Sequence, residues 1–275
     1  MSMASKVVLI TGASVGFGKA CADRLHNLGH RVYGTSRRAT FPQASACGPG
    51  FTMIPLDVTD ENSVRAAIAF VQGREGRIDV VVNNAGVGLA GAIEDTSSDE
   101  AKALFDTNFF GMHRVCRAVL PLMRAQGCGL IVNVSSIGGL ITIPFQGFYS
   151  ASKYAVESMT DALRMELAPF GIDLCLIEPG DFKTGFTAAR VFAAASGVGS
   201  AYAERCRRAV QIMERDEQNG ADPAELAVLL AKIVAARRPK PRYLAGRIMQ
   251  KLGPLLKRVL PSRWVDKILM STYGI

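Results

Sequence analysis

Short apolar segments alternate with amphipathic stretches through the first 180 residues, and this alternation constrains the fold more than any other feature of the chain. Six segments have the length and β-branched content of buried strands, at 6–10, 31–37, 51–58, 78–86, 129–136 and 172–180. Helical patterns at 18–29, 61–73, 98–126 and 149–169 separate them. Apolar strands joined through helices are typical of a parallel sheet covered on both faces. We therefore predict an α/β, doubly wound parallel sheet of about seven strands, with PRYLAG (241–246) as the last.

The composition indicates one globular domain that spans residues 1–275. Hydrophobic residues make up 49% of the chain and charged residues 20%, which is not the composition of a disordered protein. No apolar run approaches the ~20 residues of a membrane span, and the first residues do not resemble a secretory signal. The six cysteines are scattered without a C-x-x-C pair. They predict reduced thiols, a cytoplasmic location and no metal site.

The pattern changes after residue 184. Residues 185–220 are rich in Ala, Gly and charge and carry no strand signal, so we expect a mobile helical lid there. A helix is predicted at 222–238, with Asp222 as its N-cap and Pro223 at its first position. Residues 245–275 predict a basic helical extension, because residues 237–275 hold ten Lys or Arg and one acidic residue. The net charge of +8 therefore belongs to the tail, and we expect no nucleic-acid partner.

The stretch TGASVGFG (11–18) follows the first predicted strand and opens the first helix. Gly12, Gly16 and Gly18 permit a tight turn and a close approach of the backbone to a pyrophosphate, which the helix N-terminus then faces. The context of strand, turn and helix predicts a Rossmann-type dinucleotide site. The alternative interpretation is a plain tight loop.

The end of the second predicted strand discriminates between the two nicotinamide dinucleotides. A carboxylate there would bind the adenosine ribose and repel a 2′-phosphate, but this chain has Ser36, Arg37 and Arg38. Because a guanidinium binds phosphate through paired, charge-assisted hydrogen bonds, we predict NADP(H) rather than NAD(H). The alternative is that these arginines are solvated loop residues. Asp57 is placed either to cap the adenine edge or simply to end a strand in a turn.

Further motifs follow in a fixed order: NNAG (83–86), Asn108, NVSS (133–136), YSASK (149–153) and EPG (178–180). Ser136 lies 13 residues before Tyr149. With the glycine-rich turn, this pattern over residues 6–184 resembles the short-chain dehydrogenase/reductase family. The longer stretches around these motifs and the C-terminal extension resemble its 17β-hydroxysteroid and retinol dehydrogenase branch, which acts on lipophilic ketones, aldehydes and alcohols. Phe17 departs from the family's commoner isoleucine, but the position stays apolar.

Tyr149 and Lys153 are central to the chemistry that this resemblance implies. Free tyrosine has a pKa near ~10. Positions i and i+4 share a helix face, so we expect the Lys153 ammonium to lower the pKa of Tyr149 and make it a general acid/base. The resemblance implies that Lys153 also holds the nicotinamide ribose and that Ser136 bonds the substrate oxygen. It implies that Asn108 holds a water for proton relay, although an asparagine within a helix can also merely kink that helix.

The remaining predicted contacts surround these four catalytic residues. By resemblance, NNAG packs beside the adenosine ribose and EPGDFKT (178–184) shapes the nicotinamide pocket. The predicted cofactor-binding residues are Gly12, Ser14, Gly16, Phe17, Gly18, Arg37, Arg38, Asp57, Val58, Asn84, Ala85, Gly86, Tyr149, Lys153, Pro179, Gly180 and Thr184. A lipophilic pocket is predicted to be lined by Leu89, Leu140, Phe145, Phe182 and Phe186, although several of these also suit ordinary core.

The tail segment at 251–270 spaces its apolar residues as a helix does, with basic residues beside them. We favour packing over the substrate cleft, and a peripheral membrane contact or an acidic carrier protein stays open. Pro254 and Pro261 argue against one long helix. By resemblance we expect a homodimer formed through the helices at 98–126 and 149–169.

These expectations combine into one function. The chain is predicted to be an NADP(H)-dependent oxidoreductase that interconverts a ketone or aldehyde and an alcohol on a lipophilic substrate, such as a steroid or retinoid. One alternative is a 3-ketoacyl-carrier-protein reductase, which shares the catalytic residues but usually lacks so long a tail. The other is a non-catalytic NADP(H) sensor, although such proteins typically lose the Tyr or Lys that is kept here.

Overall fold

Seven parallel strands form the central sheet of the computed structural model, which describes residues 5–42 and 50–275. In sheet order they are β3 (Thr52–Pro55), β2 (Arg31–Ser36), β1 (Val7–Ile10), β4 (Val80–Asn83), β6 (Gly129–Val134), β7 (Ile172–Pro179) and β9 (Arg242–Ala245). Every pairing is parallel, as buried apolar strands predict. The strand order reverses between β1 and β4, and crevices at such switch points bind ligands.

Helices cover both faces of this sheet because successive strand side chains point to opposite sides. In β1, Val7 and Leu9 join one core cluster while Val8 and Ile10 join the other. The first cluster contains apolar residues of α2 (Glu61–Glu75), α4 (Gly111–Gln126) and α5 (Gly147–Leu167). The second contains those of α1 (Gly16–Asn27) and α7 (Pro223–Ala235). The doubly wound Rossmann-type architecture is confirmed.

Local sequence signals explain where several helices begin. The Asp222 side chain accepts a hydrogen bond from Ala224 N at 2.8 Å, so it caps α7 as predicted. At α3 (Ser98–Phe105), Ser97 and Glu100 form a reciprocal capping box. Between α3 and α4 the chain makes a π-helical turn, Asp106–Phe110, where the sequence predicted one uninterrupted helix.

The segment predicted as a lid contains a strand that the sequence pattern missed. Val191–Phe192 (β8) pairs in parallel with Leu89–Ala90 (β5) to form a second, two-stranded sheet. Two residues are too few to show a period of two, and their pairing depends on a partner about 100 residues away. The helical part of the prediction is present as α6 (Ala203–Gln218).

The C-terminal extension forms two helices, α8 (Ile248–Val259) and α9 (Ser262–Thr272). Pro261 lies at the break between them, as expected, whereas Pro254 is accommodated within α8. Neither helix contains a buried residue. This separates them from the rest of the chain, where each long helix buries one face.

The cysteines are consistent with structural thiols. Cys21, Cys116, Cys175 and Cys206 are buried and Cys128 is exposed, and all five are free. Burial raises the pKa of Cys21, Cys116 and Cys175 to about 12, so these thiols stay protonated. Cys47 lies outside the described residues. Within the described ranges no group of three or more His, Cys, Asp or Glu side chains could hold a metal ion.

Candidate active site

The glycine-rich turn between β1 and α1 leaves no room for side chains. Gly12 and Gly16 have φ of +66° and +57°, a region that residues with a Cβ rarely adopt. A Cβ on Gly18 would lie 2.3 Å from the carbonyl oxygen of Gly12. Because α1 starts at Gly16 with no acidic residue in its first turn, its free N–H groups suit a negatively charged ligand. The cradle therefore fits a pyrophosphate.

Asn84 and Thr11 fasten this turn to the loop after β4. The Thr11 hydroxyl accepts hydrogen bonds from the N–H groups of Asn84 and Ala85, both at 2.9 Å. The Asn84 amide donates to the carbonyls of Thr11 and Gly12 at 2.9 and 3.0 Å. The side chain of Asn84 thus holds the shape of the site. Thr11 was missed as a site residue, although it directly precedes the first glycine of the turn.

The residues predicted at the adenosine end lie along the same sheet edge. Arg37 and Arg38 follow β2 and are exposed, and neither makes an ion pair with a residue that the structure describes. Asp57 Oδ1 accepts hydrogen bonds from the N–H and the hydroxyl of Thr59, so this carboxylate closes a turn after β3. Val58 is buried in the core and Ser14 is exposed beside the glycine-rich turn.

Tyr149 and Lys153 lie one turn apart near the start of α5 and are both buried. The Lys153 Nζ is 5.9 Å from the centre of the Tyr149 ring, and it donates a hydrogen bond to the carbonyl of Val134 at 3.0 Å. Ser136 follows β6, and its hydroxyl accepts from Gly138 N at 3.0 Å. All three side chains line one cavity. Two elements, α5 and the end of β6, thus bring together three of the four predicted catalytic residues.

The protonation of this pair differs from expectation. Burial raises the pKa of Tyr149 to about 12, an effect that the Ser136 hydroxyl and Arg190 only partly oppose. Burial lowers the pKa of Lys153 to about 8, and Glu157 opposes that shift. The predicted lowering of the Tyr149 pKa by Lys153 is therefore wrong for this structure, because burial raises the pKa and Lys153 is not among the groups that oppose this effect. A phenol that keeps its proton is suited to donate one.

Asn108 lies in the π-helical turn and is fully buried. Its Oδ1 accepts from Val87 N at 2.8 Å, and its Nδ2 donates to Val87 O at 2.9 Å and to the Ser152 hydroxyl at 3.2 Å. Ser152 in turn donates to the carbonyl of Tyr149 at 2.7 Å. Both donors of the amide are thus used, whereas Oδ1 accepts one hydrogen bond from the described residues and has a second lone pair. The π-turn is typical of functional sites.

Behind the site, an ion-pair cluster joins α5 to β7 and β9. The Arg242 guanidinium contacts Glu157, Asp161 at 2.6 Å and Glu178 at 2.8 Å. Burial raises the pKa of Glu178 to about 7, while Arg242 opposes that shift. The sequence reading missed this cluster because its charges belong to three separate elements. Its effect is to fix the helix that carries Tyr149 and Lys153.

The side chains predicted to be catalytic open into a cavity of about 620 Å³. Its wall contains the predicted residues Gly16, Phe17, Asn84, Gly86, Pro179, Gly180 and Thr184, and also Phe182 and Phe186. The rings of Phe17 and Phe182 pack edge to face at 5.0 Å, and those of Tyr149 and Phe186 lie 5.7 Å apart. The cavity is thus aromatic and apolar on the side that faces Tyr149.

Three residues predicted for the substrate pocket do not lie on this wall. Leu89 packs behind Tyr149 and Phe186, and Phe145 packs on a separate cluster with Cys206. Leu140 contributes its carbonyl, which accepts hydrogen bonds from Tyr154 and Lys257. Spacing along the chain does not reveal which apolar residue near a site faces the cavity and which faces the core.

The two tail helices supply the opposite wall of the cavity. The sequence analysis predicted no individual residues for this wall. From α8 come Met249, Gln250, Gly253 and Leu256, and from α9 and the residue after it come Ile268, Leu269, Thr272 and Tyr273. Gln250 fastens the tail, because Asp181 N donates to its Oε1 at 3.2 Å and its Nε2 donates to the Asp181 carboxylate. The tail therefore packs over the cleft, which was the favoured of the three predictions.

Comparisons with known proteins agree with this fold. The family model described as short chain dehydrogenase matches residues 6–194. The chain belongs to this family. A 3-ketodihydrosphingosine reductase of Bacteroides thetaiotaomicron is 43% identical, with 99% of this chain and 100% of the relative covered. Human 17-beta-hydroxysteroid dehydrogenase type 1 is 34% identical over 99% of this chain and 87% of its own.

A solved short-chain dehydrogenase/reductase from Burkholderia phymatum in complex with NAD has a TM-score of 0.79 and 27% identity, covering 97% of this chain and 96% of that one. The family assignment makes the chain an oxidoreductase with a nicotinamide dinucleotide site. The predicted resemblance is confirmed, and the glycine-rich cradle of this chain fits such a cofactor.

Proposed function

We propose that the chain is an NADP(H)-dependent reductase of a ketone carried on a long, lipophilic substrate. The observation that carries this proposal is the convergence of Tyr149, Ser136 and Lys153 on one wall of an apolar cavity, next to a turn that fits a pyrophosphate. The bound dinucleotide supplies the hydride. The protein has to bind the ketone, orient it and provide the proton.

Tyr149 provides that proton. With a pKa raised to about 12 by burial, its phenol is protonated at neutral pH and can donate to the oxygen of a carbonyl that becomes an alcohol. The Ser136 hydroxyl donates a second hydrogen bond to the same oxygen and stabilises the charge that develops there. Lys153, with its pKa lowered to about 8, is able to pass a proton on toward Tyr149, and Asn108 holds a connecting water at its free lone pair.

The preference for NADP(H) is supported by the end of β2. Arg37 and Arg38 are exposed there, and neither has an ion-pair partner among the described residues. No carboxylate of that loop competes for a 2′-phosphate, since Ser36 stands where an acidic residue would favour NAD(H). The guanidinium of Arg37 is then free to bind the phosphate in a bidentate manner.

The substrate class is supported by the cavity and by the relative at 43% identity. Aromatic rings and aliphatic side chains of α8 and α9 suit a long alkyl chain. The carboxylate of Asp181 also lies on the wall and would suit a substrate that carries an ammonium group, whereas that of Glu217 is already paired with Arg190. A long-chain amino ketone such as 3-ketodihydrosphingosine fits both features. Phe186 and Glu217 belong to the segment at 185–220, which would act as its lid.

The proposal is tested by following NADPH oxidation with 3-ketodihydrosphingosine, a steroid ketone and a short ketone. We expect the long-chain ketone to give the highest kcat/KM. If no ketone or aldehyde supports turnover, the proposed activity is wrong.

The cofactor is tested with Arg37→Ala. Loss of a charged hydrogen bond to the 2′-phosphate should weaken NADPH binding about tenfold or more and leave NADH binding unchanged. The exposed arginine of α2 gives the matched control, Arg65→Ala. An equal loss of affinity for NADPH and NADH would show that Arg37 does not bind the 2′-phosphate.

A further inference from the structure

The outward face of α8 is an apolar stripe in contact with solvent. Ile248, Leu252, Leu255 and Val259 follow the spacing i, i+4, i+7 and i+11, which places them on one side of a helix. Their exposed fractions are 76%, 40%, 58% and 71%. Four large apolar side chains in a continuous row are more than the scattered exposed residues of an ordinary surface.

The other side of the same helix faces the cavity. Met249, Gly253 and Leu256 are each one position along from stripe residues and line the cavity. Met249 and Leu256 are also 76% and 43% exposed, so they reach both the cavity and the outside. The apolar surface is therefore continuous from the exterior of α8 into the cavity.

On α9, Trp264 and Ile268 extend this surface. They lie one turn apart with exposed fractions of 65% and 48%, and Ile268 also lines the cavity. Trp264 is the single tryptophan of the chain. An indole that leaves two thirds of its surface in water is costly in a monomer, but it is favourable at a boundary between water and lipid.

Basic residues accompany the apolar ones. Lys251, Arg258, Arg263 and Lys267 make no ion pair with any residue in the described ranges. The other two basic residues of residues 247–275 are engaged, since Arg247 bonds the carbonyl of Asn219 and Lys257 bonds that of Leu140. The one acidic residue of the tail is Asp266. The surface thus combines uncompensated positive charge with exposed apolar side chains.

An anionic lipid bilayer complements both properties. An amphipathic helix places its apolar side at the boundary of the acyl chains, and lysine and arginine at its edges meet the anionic headgroups. A second copy of this chain would bring the same positive charges against one another. An acidic protein would complement the positive charge but would leave the row of aliphatic side chains without an apolar partner. None of the helices in the described part of the chain is long and apolar enough to span a bilayer.

We propose that α8 and α9 form a peripheral docking surface for an anionic bilayer, oriented so that the cavity behind them opens toward the lipid. The docking itself rests on the geometry of the two helices. The consequence that a lipophilic ketone passes from the bilayer to Tyr149 rests on the proposed function.

Trp264 is a built-in probe of docking. The full-length protein is titrated with vesicles of phosphatidylcholine with and without phosphatidylglycerol, at low and high salt, while tryptophan emission and co-sedimentation are measured. We expect a blue shift and sedimentation with the anionic vesicles, both weakened by salt. No shift with anionic vesicles, or an equal response to neutral ones, would overturn the proposal.

Two variants separate the two contributions. The double variant Lys251→Gln, Arg258→Gln should lower the partition coefficient about 25-fold, at about fivefold for each basic residue. Leu255→Glu should lower it about tenfold or more, because a charge replaces an inserted side chain. Lys232→Gln on α7 and Val198→Glu, an exposed valine outside the tail, are the matched controls and should bind as wild type does. If these controls lose binding equally, the surface is not specific.

Two more measurements distinguish this proposal from its alternatives. A blue shift without vesicles that grows with protein concentration, together with a doubled mass in light scattering, would show that a second copy covers the surface and would overturn the proposal. Leu255→Glu should slow turnover of a ketone embedded in vesicles and leave a short soluble ketone unaffected. Vesicle binding without turnover of any ketone would instead contradict the proposed function and leave the docking surface in place.

Discussion

The two walls of the cavity are built in opposite ways. Tyr149, Lys153 and Ser136 lie on the edge of the α/β core, where α5 is fixed by an apolar cluster on one side and by Arg242 on the other. The facing wall comes from α8 and α9, which bury no residue and are fastened by a few polar contacts such as Gln250 with Asp181. The first wall is part of the packed core, whereas the second lies on the surface of the core and buries no residue of its own.

This difference assigns different tasks to the two walls. Reacting groups must be held within about 0.5 Å of their productive positions, and only packed elements do that. A wall with few buried contacts opens at low cost in free energy, which suits the admission of a bulky substrate. The core wall should therefore control kcat and stability, while the tail wall should control KM and access. Substitutions on each wall test this division.

The largest expected effect is on the core wall. Tyr149→Phe removes the proposed proton donor but keeps the ring, so kcat/KM should fall about 10³-fold, within the usual range for general acid catalysis. NADPH binding, measured by fluorescence titration, should be unchanged.

The matched control is Tyr154→Phe, on the same helix, whose hydroxyl donates to the carbonyl of Leu140, accepts from Lys257 and does not line the cavity. It should retain activity within about threefold. Full activity of Tyr149→Phe would refute the assigned chemistry.

Stability should show the next largest contrast. Arg242→Met leaves the buried Glu157 and Glu178 facing one another without a cation, while Asp161 keeps Arg164, and this should lower the free energy of unfolding by about 3–4 kcal/mol at pH 8. The loss should shrink toward pH 5, because Glu157 and Glu178, whose pKa values are raised by burial, then take up protons. Chemical denaturation at the two pH values measures it.

On the tail wall, Arg263→Met is the comparable change, since Arg263 is exposed and has no ion-pair partner among the described residues. It should alter stability by less than about 0.5 kcal/mol. Similar losses for the two variants would contradict the division between the walls.

The sequence was sufficient for the core wall because local patterns determine it. The strand periodicity, the glycines of the turn at 11–18 and the spacing of Tyr149 and Lys153 on α5 each depend on nearby residues. What it did not predict depends on contacts between distant residues. The β5–β8 pairing, the Arg242 cluster and the position of Leu89 behind Tyr149 are of this kind.

The pKa of Tyr149 also depends on contacts that the sequence pattern does not reveal. The spacing of Lys153 correctly places an ammonium near the phenol, at 5.9 Å from the ring centre. Whether that charge lowers the pKa depends on how deeply both groups are buried, and spacing carries no information on burial. Desolvation is the largest effect on Tyr149, and it raises the pKa of this group to about 12.

A smaller effect measures the burial of Lys153. Burial lowers its pKa from 10.5 to about 8. Between these values the unfolded chain holds a proton that the folded chain has released, so stability rises with pH in that window. Relative to Lys153→Met, the wild type should therefore gain about 2 kcal/mol in unfolding free energy from pH 7 to pH 10.

Chemical denaturation at both pH values gives this difference. The same comparison with Lys232→Met, a change at an exposed lysine of α7, should show no dependence on pH. A flat difference for Lys153→Met would mean that its ammonium is solvated.

The smallest predicted effect concerns the fastening of the tail wall. Gln250→Ala removes the two hydrogen bonds with Asp181, each of which contributes about 1 kcal/mol at most to a solvent-accessible contact. Because α8 then detaches more readily, KM for a long-chain ketone should rise about fivefold, while kcat and the thermal midpoint change little. Arg258→Ala, on the same helix but exposed and outside the cavity lining, is the control and should leave KM nearly unchanged when no vesicles are present. A fall in kcat with constant KM would show that the tail positions the reacting groups as the core wall does, and would remove the distinction between the two walls.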